Sequence, residues 1–212
     1  MNETDIVMRS QREDDVIKVD TIGSDLTVFK AARLSRRGDA EQPDEDRMVS
    51  FIMRLIKDCH YVPFEHCVIT FMMQAPIFVF RQLFRYRTAA ISEMSMRYCE
   101  AAPEFYLPDH LKDESATELM RLSYQNSWNT YNDLLAKGVK KEMARAVLPT
   151  ALFSRCLFTI NLRNLFHLLD QRISPHAQRE TEFVATRMYE LARSSFPMSV
   201  MAWYADRCES RK

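Results

Sequence analysis

Only three glycines, Gly23, Gly38 and Gly138, occur in the 212 residues of this chain. A backbone that cradles a pyrophosphate needs closely spaced glycines, because only a residue without a Cβ lets successive amides approach the ligand. Neither a G-x-G-x-x-G turn nor a Walker A loop can be assembled from these three. The commonest flavin and nicotinamide folds are thereby excluded, and any dinucleotide here must be held by side chains. Those side chains are unevenly chosen, with 21 Arg against 8 Lys. The planar guanidinium fork matches phosphate and carboxylate oxygens, which points to discrete anionic ligands. For any single arginine, structural ion pairing is the plainer explanation. Basic and acidic residues cancel at 29 each, so the chain is not built to track a nucleic-acid polymer by bulk charge.

The five cysteines, Cys59, Cys67, Cys99, Cys156 and Cys208, form no CxxC pair and no zinc spacing. No metal site is expected, and the scattered odd count suits reduced thiols in the cytoplasm. The polar, acidic start is not a signal peptide. The most apolar stretch, Phe71 to Phe80, is too short and interrupted to span a bilayer, so no membrane association is expected.

Periodicity predicts a loose N-terminus over 1–14 and one α+β unit over 15–212. Val16 to Ile22 reads as a strand. Ser24 is the expected N-cap of a helix through Val28 and Phe29, and Arg36 to Asp46 a loop. A helix carries Val49, Ile52 and Leu55. Cys67 to Met73 suits a buried strand. Pro76 opens a helical pattern that continues through Arg87, with Arg81 and Arg85 on one face. Ser92 to Tyr106 reads as irregular. Ser115 and Glu118 form a capping box before a helix whose Met120, Tyr124, Trp128, Tyr131 and Leu135 face the core. Gly138 ends that helix. A short helix over Lys141 to Val147 and a strand over Leu157 to Ile160 follow. Ser174-Pro175 opens the last long helix.

The densest polar cluster is RQLFRYRTAAISEMSMRY, Arg81 to Tyr98. Its arginines, hydroxyls and Glu93 can hold phosphate, ribose and a base edge, or can be a solvated helix end; composition does not separate the two. Arg85-x-Arg87, then seven residues, then Ser95 resembles the signature of flavin-dependent thymidylate synthases, the ThyX family. Further segments resemble that family in order along the chain: AARLS at 31–35, HYVPFEH at 60–66, APIFVFRQLFRYR at 75–87, SEMSMRY at 92–98, EMARAVLP at 142–149 and NLRNLFHLLDQRISPHAQRE at 161–180. The short motif alone is weak; six ordered segments are specific.

The resemblance implies a ThyX-like fold, a central antiparallel sheet flanked by helices, assembled as a homotetramer. It implies FAD as cofactor, with methylenetetrahydrofolate and NADPH as co-substrates and a small uridine nucleotide as substrate. By matched position, Arg81, Gln82, Leu83, Phe84, Arg85, Glu93, Met94, Ser95, Met96, Arg97, Arg145 and Arg172 would hold the nucleotide. Ser35, Val62, Arg85, Tyr86, Arg87, Glu93, Asn161, Leu162, Arg163 and His167 would serve FAD, and His60 would lie on the folate side. Arg172 would be catalytic, favouring ionisation of the uracil. The folate-only synthases add a cysteine to C6; the flavin-dependent family needs no such nucleophile, and no cysteine falls within the nucleotide motif here. Taken singly, His60, His66 and His176 are more often structural than catalytic, and Arg145 and Arg172 can be partners of Glu142 and Asp170.

The departures from the family pattern sit at expected ligand positions. Tyr86 replaces the usual His, Val62 a Thr, His167 an Asn, Met96 a small residue and Tyr61 an acid. They fit a strict dUMP enzyme, or the branch from nucleoside-antibiotic pathways such as that of polyoxin, which methylates UMP as well as dUMP. Met is flexible enough to repack around a changed ligand. A non-catalytic flavin- or nucleotide-binding protein is the alternative of another class, and Arg172 speaks against it. An RNA-binding module would need a basic face with exposed aromatics.

Overall fold

The computed structural model describes residues 6–34 and 44–210. Ser35, Gly38 and most of the expected Arg36 to Asp46 loop lie outside the described residues. The strands are β1 (Val7–Arg9), β2 (Val16–Ile22), β3 (Val68–Pro76), β4 (Ala90–Glu93), β5 (Glu104–Tyr106) and β6 (Phe153–Asn161). The helices are α1 (Asp25–Leu34), α2 (Glu45–Lys57), α3 (Ile77–Leu83), α4 (Glu114–Ala136), α5 (Lys141–Ala144), α6 (Leu162–Arg172), α7 (Arg179–Ser195) and α8 (Pro197–Ser210). One sheet has the order β2-β3-β6-β4, and a second pairs β1 with β5. β3 and β6 run antiparallel: Cys67 meets Leu162, Thr70 meets Thr159, and Gln74 meets Arg155. This is the expected α+β class. No described helix is long and apolar enough to cross a membrane.

The chain divides into two compact units interleaved in sequence. The first holds residues 6–15, 73–82 and 92–156. Its core is the aromatic face of α4: Tyr124 stacks on Phe105 at 5.4 Å, and Trp128 meets the same ring edge-on at 6.1 Å. Gly138 follows α4 at φ 80, where a residue without a Cβ ends a helix at no steric cost. The N-cap of α4 is Asp113, not Ser115. The Asp113 carboxylate accepts from the Ser115 and Ala116 amides and from the Ser115 hydroxyl, so Ser115 is spent on the cap rather than forming it. Hydrogen bonds from Ser115 and these amides hold the Asp113 carboxyl below its ordinary value.

The terminus expected to be loose is tied down from residue 7. β1 pairs in parallel with β5, Val7 opposite Glu104 and Arg9 opposite Tyr106. The Arg9 guanidinium bonds to Asp15 at 2.7 Å and to Glu104, and lies 4.1 Å from the Phe153 ring centroid. Three residues are too few to display a period of two, which is why the strand is not readable locally.

The second unit holds residues 16–34, 44–72, 83–91 and 157–210. α6 runs through its core, with Leu165, Phe166, Leu168 and Leu169 buried and Phe166 stacked on Trp203 at 5.4 Å. The buried Asp25 accepts from the amides of Met198 and Ser199 at the start of α8. An anionic oxygen there satisfies donors that the helix cannot satisfy itself. The final long helix is expected at Ser174-Pro175, but α7 begins at Arg179 after a turn in which Ala177 N–H donates to Ser174 O. Ser174-Pro175 thus serves as punctuation after α6.

Candidate active site

α6 is the element on which most of the site is built. Asn161 caps it, its side-chain oxygen accepting from the Asn164 amide at 3.0 Å. The first turn leaves Arg163 exposed, ion-paired with Glu65. Glu65 belongs to the 3-10 turn Val62–His66, formed by the HYVPFEH segment. An open cleft of ≈ 300 Å³ is lined by Tyr61, Arg163, Asn164, Phe166, His167 and Asp170. Val62 is 65% exposed on the same turn, and His60 is exposed just before it.

At the other end of α6, Arg207 of α8 donates to the carbonyls of Leu169, Asp170 and Ile173. These are the acceptors a helix C-terminus leaves open, so α6 is anchored where it presents Arg172. The Arg172 guanidinium lies 5.4 Å from the Tyr86 ring centroid and is half-buried. The Tyr86 hydroxyl donates to Gln171 at 3.0 Å, and the ring meets His167 edge-on at 5.8 Å. Burial raises the phenol's pKa, against the opposing pull of Arg172 and Arg85. Tyr86 therefore stays protonated and keeps its role as donor.

The helical pattern expected to run through Arg87 stops at Leu83, so Arg81 and Arg85 do not share a helical face. The chain then makes a turn in which Tyr86 N–H donates to Leu83 O at 3.1 Å. Tyr86 points inward at 7% exposure, and Arg85 and Arg87 on either side of it point outward. The local cause is that the aromatic ring gains more from burial than a continued helix would from its hydrogen bonds.

The first unit carries the other half of the expected nucleotide residues. Glu93 is exposed at the end of β4, and Met94 N–H donates to Arg155 O at 2.8 Å. The irregular stretch expected from Ser92 contains this strand end, a turn that starts at Ser95, and β5. The Ser95 hydroxyl accepts from the Arg97 amide at 3.4 Å. Arg97 reaches the Glu142 carboxylate at 3.5 Å, and Arg145 donates to the Glu142 carbonyl at 3.3 Å. Arg97 and Arg145 thus both meet Glu142, the first at its carboxylate and the second at its carbonyl. Arg81 is exposed, while Gln82 and Phe84 are half-buried.

Three expected ligand residues have side chains committed to packing. Leu83 and Leu162 are fully buried, so an apolar side chain at these positions fills the core. Met96, partly buried, packs against the aromatic cluster of α4. Residues that the sequence did not point to are Glu65, Asn164, Gln171 and Arg207. Gln171 was findable, standing four residues after His167 and beside Arg172 on the same helix. Arg207 had no local signal.

The donor set suits an anionic dinucleotide held without a glycine loop. Arg85, Arg87 and Arg163 present exposed guanidiniums for a pyrophosphate, and the cleft offers Tyr61 and His167 as ring surfaces beside amide and carboxylate groups. Among the described residues, no group of three or more His, Cys, Asp or Glu side chains is placed to hold a metal ion.

Residues 18–198 match the family described as thymidylate synthase complementing protein, Thy1. The chain is 36% identical over 203 residues to a flavin-dependent thymidylate synthase of Thermosipho africanus, covering 87% of this chain and 88% of the relative. It is 37% identical over 202 residues to a flavin-dependent thymidylate synthase of Thermus thermophilus, covering 88% and 73%. A solved UMP/dUMP methylase, PolB from Streptomyces cacaoi bound with 5-Br dUMP, superposes with a TM-score of 0.87 at 33% identity, over 94% of this chain and 97% of that one. The same enzyme bound with 5-Br UMP gives a TM-score of 0.83 at 33% identity, over 94% and 96%.

Proposed function

Because this chain belongs to the family of thymidylate synthase complementing proteins, we propose that it methylates C5 of a uridine 5′-monophosphate, dUMP and also UMP, in a flavin-dependent reaction. When bound, FAD supplies the hydride and methylenetetrahydrofolate the carbon of the new methyl group, with NADPH as the source of reducing equivalents. Arg85, Arg87, Asn161, Arg163 and His167 are the residues assigned to the flavin. Arg81, Gln82, Ser95, Arg97 and Arg145 are assigned to the nucleotide, its phosphate taking the place that the Glu142 carboxylate holds beside Arg97.

The observation that carries the reading is the half-buried Arg172 guanidinium, fixed over Tyr86 at the anchored end of the helix that begins with Asn161 and Arg163. A cation at that position stabilises negative charge spreading through an ionised uracil, which makes C5 nucleophilic without a covalent enzyme adduct. Cysteine chemistry fits poorly: burial pushes the Cys67 thiol up to about 11 and the Cys156 thiol up to about 12, far from a reactive thiolate. The same placement of Arg172 argues against a protein that merely binds flavin or nucleotide.

Acceptance of UMP is supported by PolB, solved with both 5-Br dUMP and 5-Br UMP. A strict dUMP synthase is the second reading, favoured by the curated thymidylate synthases at 36% and 37% identity. Homotetrameric assembly in the cytoplasm completes the proposal; five free thiols suit a reducing compartment. Tritium release from C5-labelled dUMP and UMP, with FAD, folate and NADPH present, is the deciding experiment. Release from both nucleotides is expected. A preference for dUMP above about a thousandfold exceeds what one unpaired hydroxyl explains and selects the strict reading. Release from neither ends the proposal.

A further inference from the structure

We propose that Tyr86 is the positioning residue for Arg172, holding its guanidinium by ring and hydroxyl together and anchored in turn through Gln171 to His167. This rests on the reading of Arg172 as the group that acts on the uracil.

The direction of each hydrogen bond follows from what each group can do. Arginine only donates, so the Arg172 guanidinium, 5.4 Å from the Tyr86 ring centroid, can meet the phenol oxygen only as a donor. The phenol proton is then directed to Gln171 Oε1 at 3.0 Å. The Gln171 amide nitrogen only donates, and it lies 3.2 Å from His167 Nε2. That ring nitrogen is therefore the acceptor, and the network assigns the ring proton to Nδ1. The chain runs from Tyr86 through Gln171 to His167, with the Arg172 guanidinium beside the Tyr86 ring at its head. The Tyr86 ring adds two further contacts, the guanidinium 5.4 Å from its centroid and the His167 ring edge-on at 5.8 Å.

Tyr86 is the one fixed member of this chain. It is buried, whereas Gln171 and His167 are exposed and Arg172 is half-buried. A long side chain such as arginine has many rotamers, and a buried ring that engages it through both face and oxygen selects among them. Phenylalanine would keep the face and lose the oxygen. Two of the departures from the family pattern, Tyr86 and His167, are thereby packed on one another and joined through a shared partner. They form one device rather than two independent changes.

The test uses the FAD-loaded enzyme with Tyr86→Phe, Gln171→Ala and the double variant. Flavin absorbance, thermal midpoint, and kcat and KM for dUMP are measured on each. Either single variant is expected to lower kcat about fivefold to tenfold, the weight of one hydrogen bond. FAD should stay bound and the nucleotide KM should stay within about twofold. The double variant should be no slower than the slower single, because both substitutions cut the same chain. A merely structural role for Tyr86 would shift the thermal midpoint and flavin retention while leaving kcat per bound flavin unchanged. Unchanged kcat, or losses that multiply in the double variant, overturns the proposal. Should Tyr86→Phe fail to load FAD, Gln171→Ala alone decides, since Gln171 is an exposed residue whose loss leaves the core intact. Arg172→Ala separates the two levels. If it is inactive while Tyr86→Phe has normal kcat, positioning fails and the function stands. If Arg172→Ala turns over normally, the assignment of Arg172 itself fails.

Discussion

Replacing Arg172 by alanine should separate catalysis from folding, because the two depend on it by different amounts. On the folding side, the substitution removes the guanidinium from the Tyr86 ring and takes away a donor for its phenol oxygen. A cation–π contact at a partly exposed site contributes about 0.5–1 kcal/mol, and a hydrogen bond about 0.5–1.5 kcal/mol. Together they amount to about 1–2.5 kcal/mol. For a chain of this size each kcal/mol moves Tm by about 2–4 °C, so the variant stays folded at ordinary assay temperature and should retain FAD. On the catalytic side, a donor aimed at charge that develops only in the transition state is worth about 2.7–4 kcal/mol. That corresponds to a rate loss of about a hundredfold to a thousandfold. The assay is tritium release from C5-labelled dUMP, normalised to bound flavin, with a thermal melt on the same sample. Arg172→Lys should recover only part of the rate, because an ammonium restores charge without the planar fork. Turnover of Arg172→Ala within about tenfold of the unmodified enzyme would refute the reasoning. So would inactivity accompanied by complete loss of flavin, which would make Arg172 a cofactor ligand first.

Arg207→Met removes the guanidinium from the Trp203 ring and strands the carbonyls of Leu169, Asp170 and Ile173; unmet acceptors cost about 1–3 kcal/mol, so denaturant unfolding should show a loss of at least that order, and an unchanged midpoint would mean that solvent replaces the guanidinium. Alkylation by iodoacetamide at about pH 8 should modify the exposed Cys59 and Cys208 promptly and the buried Cys67 and Cys156 only as fast as the protein opens. Burial raises both buried thiols, to about 11 and about 12, above an unfolded value of about 8.5. The folded state therefore favours their protonated forms. This contribution is complete below the unfolded pKa and is lost as pH rises towards about 11 and about 12. Stability should decline from about pH 9 upward, and Cys67→Ser or Cys156→Ser should remove part of that decline. Equal labelling rates at all five cysteines would contradict the burial on which this rests.

Much of the fold was legible wherever one face of an element shows its period. β2 lies where Val16, Ile17, Val19, Thr21 and Ile22 make the segment rich in β-branched residues. The Tyr124, Trp128 and Tyr131 stripe is core, and Lys141 to Val147 is a short helix followed by a 3-10 turn. Boundaries were less legible, because several residues compete to end or start a helix. Asp113 outcompetes Ser115 as the cap of α4, since a carboxylate accepts two amides and complements the helix dipole. Ser174-Pro175 loses to Gln178-Arg179 as the start of α7, since the intervening turn follows the C-terminus of α6.

For the site, the order of residues along the chain already settles which chemistry is available: no glycine loop, many guanidiniums, and ordered segments that name the family. It also settles that Arg85 and Arg87 flank an aromatic residue. It leaves open what that aromatic residue does. Tyr86 and Gln171 are 85 positions apart, and no local period relates a turn after α3 to the last turn of α6. Arg207 likewise stands 38 positions from the Leu169 carbonyl that it satisfies. Periodicity reports which way each side chain faces relative to its own element. Which partner it then meets depends on how the elements pack, because burial is non-directional and only the packed arrangement decides which donors and acceptors leave water together.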